Sequence, residues 1–136
     1  MSVMSKSLVS WGLFAVFVAL ALGLQGHAQM FVFAGAVGVA KALVWAAWLA
    51  FVGYSIHCSR RENLFKSVRG IARLYWGRQI IIDLYLGVAL VLALIALHQG
   101  ALVMLAWLLP ALLFANQATL LYIAIHFESL LALLAP

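Results

Sequence analysis

The sequence predicts an all-α integral membrane protein, with four transmembrane helices arranged as two hairpins that a basic amphipathic cytoplasmic helix joins. Three observations predict it. Hydrophobic residues make up 68% of the 136 positions and charged residues only 8%, with a mean hydropathy of +1.18. Soluble domains carry about a quarter charged residues, so this chain lacks the charge to cover a water-facing surface. The apolar residues fall into four long runs separated by short polar breaks. Six of the eight Lys and Arg residues sit in one stretch, residues 57–79, between the second and third runs. The whole of residues 1–136 reads as a single polytopic domain.

The first run, residues 8–24, follows a short polar lead with Lys6 and carries Trp11 near its start. Ala19-Leu20-Ala21 has the small-x-small form of a signal-peptide cleavage site, but it lies inside the apolar run rather than after it, so the segment is retained as a first helix. Residues 25–29 break the run with Gly26 and His27. The second run, residues 30–56, is uncharged except for Lys41 and exceeds the roughly 20 residues that cross a bilayer core. Small residues dominate its beginning, which favours close helix contact in lipid.

The basic stretch predicts a helix over residues 60–76. Ser59-Arg60-Arg61-Glu62 has the capping-box form. Leu64, Phe65, Val68, Ile71, Ala72 and Tyr75 then recur on one face, and Glu62, Lys66, Arg69 and Arg73 on the other. Such a helix lies in a membrane surface with its cations toward anionic lipid. Arg60, Arg61, Lys66, Arg69, Arg73 and Arg78 are therefore the candidate lipid or partner contacts. A plain cytoplasmic connector whose charges only fix topology is the alternative.

The third run, residues 80–97, is broken by Asp83 and Tyr85, and His98-Gln99-Gly100 forms a short turn. The fourth, residues 101–127, carries Pro110 and the pair Asn116 and Gln117. A kink is expected at Pro110, because an interior proline lacks a donor and crowds the preceding turn. The tail from Glu128 onward is expected along the surface. Each half of the chain contains a turn with a histidine and a longer helix ending in Ile-His, which hints at duplication without establishing it.

The other two turns contain no Lys or Arg. The positive-inside rule then places the basic stretch and both termini in the cytoplasm, and the chain's compactness and clear charge bias suggest a bacterial-type inner membrane. The net charge of +5 collects in that stretch and does not point to nucleic acid, since no recognition motif accompanies it. Cys58 is the only cysteine, which excludes an intramolecular disulfide and a paired-cysteine redox site.

Polar residues at membrane depth are the candidate sites. From a rise of about 1.5 Å per residue, Tyr54, Asp83 and Tyr122 lie roughly 5–8 Å inside the cytoplasmic boundary, close to His57, Arg78 and His126. A polar layer there would give Asp83 a tyrosine or arginine partner. Asp83 shares its helix face with Trp76, Gln79 and Gly87. Lys41, Trp45 and Trp48 form one stripe at i, i+4 and i+7, where tryptophan faces can stabilise the cation. Asn116 and Gln117 are placed to reach toward it. Lys41 is thus either a buried functional cation or a side chain that snorkels to the outer interface.

His27 and His98 are expected on one side and His57 and His126 on the other, formally two bis-histidine haem or metal sites. Haem ligands normally lie within helices of a packed bundle, so the simpler expectation is interfacial histidines and no cofactor. No catalytic set is present: there is no phosphate-binding glycine loop, no nucleophile–base spacing and no HExxH. The sequence reading is an accessory, assembly or binding protein of the inner membrane. Its partners would be membrane lipids of anionic type, and a membrane protein or a second copy. The alternatives are a small transporter or channel through Asp83, Asn116, Gln117 and Lys41, and a haem- or quinone-linked anchor.

Overall fold

The computed structural model describes residues 3–135; residues 1, 2 and 136, and with them the termini themselves, lie outside it. The described chain is helical throughout, without strands: α1 (Val3–Gln25), a short 3-10 turn (Ala28–Phe31), α2 (Gly35–Arg61), α3 (Leu64–Ile71), α4 (Tyr75–Gln99), α5 (Ala101–Phe114), α6 (Asn116–Ile125) and α7 (Phe127–Leu134). Three helices are long and apolar enough to cross a membrane: Lys6–Gln25 within α1, α2 and α4. The count reaches four if α6 and α7, bent by 81° at His126, form one broken span. Most large apolar side chains on the outer faces are exposed, as lipid-covered faces require.

The two ends of the bundle differ chemically. Trp11 Nε1 donates to Ser59 Oγ at 3.1 Å, so the start of α1 lies beside the end of α2 and the basic stretch. The opposite end collects Gln25, His27, His98 and Gln99 from the two turns. Gly100 makes the second of these turns at φ 94°, a conformation that favours glycine.

The basic stretch folds differently from its expected single helix over residues 60–76. α2 continues through Arg61, and Asn63, not Ser59, caps the next helix by accepting from the Lys66 amide at 3.2 Å. Ser59 lies inside α2, donates to the Ser55 carbonyl at 2.9 Å and accepts from Trp11, so its oxygen is not free to cap. Glu62 instead accepts from Ser67 Oγ at 2.9 Å. The helix is therefore the short α3, followed by a tight turn into α4. Gly77 makes that turn possible, because a Cβ there would overlap the Ile71 carbonyl oxygen.

The fourth apolar run is not one helix. It breaks at Ala115, a non-glycine residue at φ 48°, ψ −122°, and not at Pro110, which lies within α5. The break reverses the chain. The Tyr122 hydroxyl lies 2.6 Å from His98 Nδ1 and donates to Gln99 Oε1 at 3.0 Å. In a straight helix begun at Ala101, Tyr122 would stand about 32 Å from that turn. α5 thus descends from the histidine end, and α6 returns to it alongside α2.

The physical reason lies in α6. Ala118, Leu121, Tyr122, Ala124 and Ile125 are all essentially inaccessible. A helix apolar on every side is stable at the centre of a bundle, and α6 is the core of this one. At about 21 Å and 15 Å, α5 and α6 are each too short to cross a bilayer core of roughly 30 Å. α7 then runs across the histidine end at 81° to α6. The start of α1 and the whole of α7 consequently lie at opposite ends of the bundle; the expectation that both termini share one side falls on residues outside those described.

Candidate functional site

The polar chemistry of the interior is organised around α6, from its start at mid-bundle to its end at the histidine turns. At its start, Trp48 Nε1 donates to the Gln117 carbonyl at 2.9 Å and Gln117 Nε2 donates to Ser55 Oγ at 2.6 Å. Thr119, which is buried, stays within reach of Asn116 at 3.3 Å. These contacts fasten the re-entering chain to α2.

At the end of α6 a denser cluster forms. His126 Nε2 donates to Gln25 Oε1 at 2.8 Å, and Trp107 Nε1 donates to the same oxygen at 3.2 Å. His27 Nε2 donates to the Ile125 carbonyl at 2.7 Å. His98, Tyr122 and Gln99 complete the chain of contacts given above. The rings of His27 and His98 stand 6.1 Å and 5.4 Å from that of His126. Gln25, His27, His98 and Gln99 therefore bond α5, α6 and one another, and each of the three histidines directs a ring nitrogen to a protein partner.

Beside this cluster, Lys41 is 1% exposed and its Nζ bonds Glu128 Oε1 at 2.7 Å and the Gln29 carbonyl at 2.8 Å. Glu128 opens α7, so the pair clasps α7 to the start of α2. The ammonium lies 5.5 Å from the Phe33 ring centroid. Lys41, Trp45 and Trp48 do share one buried stripe of α2. The cation nevertheless meets Phe33 and a carboxylate rather than the tryptophan faces, and Asn116 and Gln117 do not reach it. Trp45 Nε1 is the one buried side-chain polar atom among the described residues without a partner.

The expected polar layer of Tyr54, Asp83, Tyr122, His57, Arg78 and His126 does not form, because α6 carries Tyr122 and His126 to the other end. Tyr54 and His57 stack on each other at the exposed basic end, with ring centroids 6.2 Å apart. Arg78 lies over the Tyr75 ring at 4.6 Å. Asp83 is exposed on α4 and makes no hydrogen bond or ion pair with the other described residues. His27 and His98 do lie at one end, but His57 and His126 do not share the other: His126 joins the first two, and His57 stays at the basic end beside Tyr54. Among the described residues, no group of three or more His, Cys, Asp or Glu side chains is placed to hold a metal ion. Arg60, Arg61, Lys66, Arg69 and Arg73 are exposed at the basic end.

Sequence reasoning missed Gln25, Gln99, Ser55, Trp107 and Glu128. The only signal for Glu128 was arithmetic. The chain has three carboxylates, Glu62 lies in the basic stretch, and Asp83 lies on the wrong helix level for Lys41.

Comparison of the chain with protein-family models, with curated proteins and with solved structures found no match. The fold and the site define a class: an all-helical protein with three to four apolar helices able to span a membrane, consistent with an integral membrane protein.

Proposed function

We propose that this chain is a small inner-membrane protein of bacterial type that works by association, as an accessory, assembly or binding subunit. The observation that carries this reading is the closure of the interior. Lys41 with Glu128, Gln117 with Ser55 and Trp48, Tyr122 with His98 and Gln99, and His126 with Gln25 satisfy one another within the bundle and at its histidine end. A conducting path needs polar groups left free for the cargo and aligned from face to face. Asp83, Asn116, Gln117 and Lys41 instead occupy separate places. A chain whose interior is spent on its own structure has its outer faces left for function.

In this reading α1, α2 and α4 cross the bilayer, and the α5–α6 hairpin enters and leaves it on one side. The basic end faces the cytoplasm, because six cations gather there and the histidine end holds only Lys41, paired with Glu128. α3 carries Leu64, Phe65, Val68 and Ile71 exposed together, and lies on anionic lipid through Lys66 and Arg69. No cofactor is needed.

Purification from native membrane in mild detergent, with the mass of the intact assembly measured, tests the reading. A defined complex of more than one polypeptide is the expected result. A free monomer that instead supports ion flux in proteoliposomes, abolished by Asp83→Asn, would reject it in favour of transport.

A further inference from the structure

α4 turns a carboxylate away from the bundle. Its buried face runs through Gly77, Val88 and Ile95. Half a turn away, Gln79, Asp83, Leu86, Leu90, Ala93 and Leu97 are all exposed. Their spacing alternates four and three residues, the seam along which one helix packs against another. Gly87 adjoins it with open space in front. Asp83 lies eight residues beyond Tyr75, about 12 Å along the helix. A shallow groove of about 350 Å³ beside it is lined by Tyr75, Arg78, Gln79, Ile82, Asp83 and Leu86.

A charged carboxylate facing hydrocarbon is unfavourable, and such groups in membrane helices are normally paired. The described residues supply no partner. Arg78, on the same groove, lies over Tyr75 and so points toward the start of α4, away from Asp83. Lys41 is committed to Glu128 at the other end.

We infer that the α4 seam docks a membrane-spanning helix of another protein that bears an arginine or lysine at the depth of Asp83. Charge complementarity selects this occupant. A second copy packed in parallel through the same seam would set Asp83 against Asp83, like charges in a medium that screens them poorly. Recruiting the other copy's Arg78 would require that side chain to leave Tyr75 and extend deeper into the membrane. The partner's seam is otherwise apolar and small, to match Leu86, Leu90 and Ala93, and its cation accounts for the carboxylate. The inference rests on the association reading and specifies the chemistry of the partner.

The test uses the full chain in proteoliposomes, labelled with a donor dye at the exposed Cys58. The probe is an acceptor-labelled leucine–alanine helix carrying one arginine at the depth of Asp83. Control helices carry leucine there, or the arginine at the far end of the span. Energy transfer should show binding of the matched helix about tenfold tighter than the leucine helix, the scale of one polar contact between membrane helices. Asp83→Asn should remove the difference and Asp83→Glu should keep it. Asp83 is exposed, so both variants should retain the native tryptophan emission.

Equal binding of the arginine and leucine helices would overturn the inference. So would a preference that survives Asp83→Asn, or Asp83-dependent energy transfer between donor- and acceptor-labelled copies of the chain itself. In native membrane, a complex that Asp83→Asn leaves intact would overturn the inference while sparing the association reading; a bare native monomer would remove both.

Discussion

Ala115→Gly should stabilise the protein, and the sign of its effect decides how the last apolar run is folded. Ala115 holds φ 48° and ψ −122° where α5 gives way to α6. A non-glycine residue in such a sparsely populated region costs about 1–3 kcal/mol, most of which glycine relieves because it has no Cβ. Against this, glycine widens the unfolded ensemble by about 0.4–1 kcal/mol. The net expectation is stabilisation of about 1 kcal/mol. Were residues 101–127 one continuous helix, the same change would place glycine in a helix interior and destabilise by about 1 kcal/mol. Unfolding in mixed micelles of rising SDS content, followed through the emission of the buried Trp45, Trp48 and Trp107, reads the difference. Ala115→Val is the companion, since a β-branched side chain tolerates positive φ worst and should destabilise. Loss of stability in Ala115→Gly, with Ala115→Val neutral, would refute the reversal at this residue and the geometry built on it.

The remaining predictions address topology, the clasp and the lipid surface. With Cys58 replaced by serine, cysteines introduced at Ala28 and Ser129 should both react with an impermeant reagent added from the non-cytoplasmic side; a Ser129 site labelled only from the cytoplasm would mean that the last run crosses the bilayer. Glu128→Gln should destabilise more than Lys41→Met, by about 3 kcal/mol against a smaller loss, because the first leaves a buried ammonium unpaired and the second leaves a carboxylate that is 40% exposed; the same micelle titration measures both, and equal losses would count against the clasp. An environment-sensitive dye at Gly70, where nothing crowds an added side chain, should report insertion into anionic bilayers. Arg69→Gln with Arg73→Gln should weaken that insertion by about 1 kcal/mol per charge, and equal signals in neutral and anionic lipid would exclude an electrostatic role.

Class and coarse layout were legible in the sequence because composition and charge segregation are properties of the whole chain. Three of the apolar runs became long helices close to where they were expected. The fourth was misread for a physical reason. Twenty-seven apolar residues look alike whether they cross a membrane once or enter it and return. The deciding feature is a single backbone conformation at Ala115, which alanine does not advertise. Pro110 drew attention to the wrong residue. The capping box misled in a related way: Ser59 has the right neighbours for a cap, but its hydroxyl is engaged within α2 and by Trp11. The internal resemblance of the two halves likewise ends at the fold, since His57 closes on Tyr54 at the surface while His126 is buried at the α6–α7 bend.

The reversal at Ala115 also explains why the candidate sites were sorted onto the wrong faces. In a straight helix depth runs steadily from the cytoplasmic end, so folding the last run back inverts the depth of every residue after Ala115. Tyr122 and His126 moved from the basic end to the histidine end, where Gln25, His27, His98 and Gln99 receive them. Glu128 moved with them, and its arrival beside Lys41 turns a solitary membrane lysine into half of an ion pair. One residue did not move, because it precedes the reversal: Asp83 stays near the basic end. Tyr122 and His126, expected beside it, have gone to the other end of the bundle, while Tyr54 and His57 stack on each other and Arg78 lies over Tyr75. The turn that closes the interior network thus removes two of the groups expected beside Asp83, and the others are engaged elsewhere. The fold that satisfies Lys41 from within leaves Asp83 to be satisfied from outside.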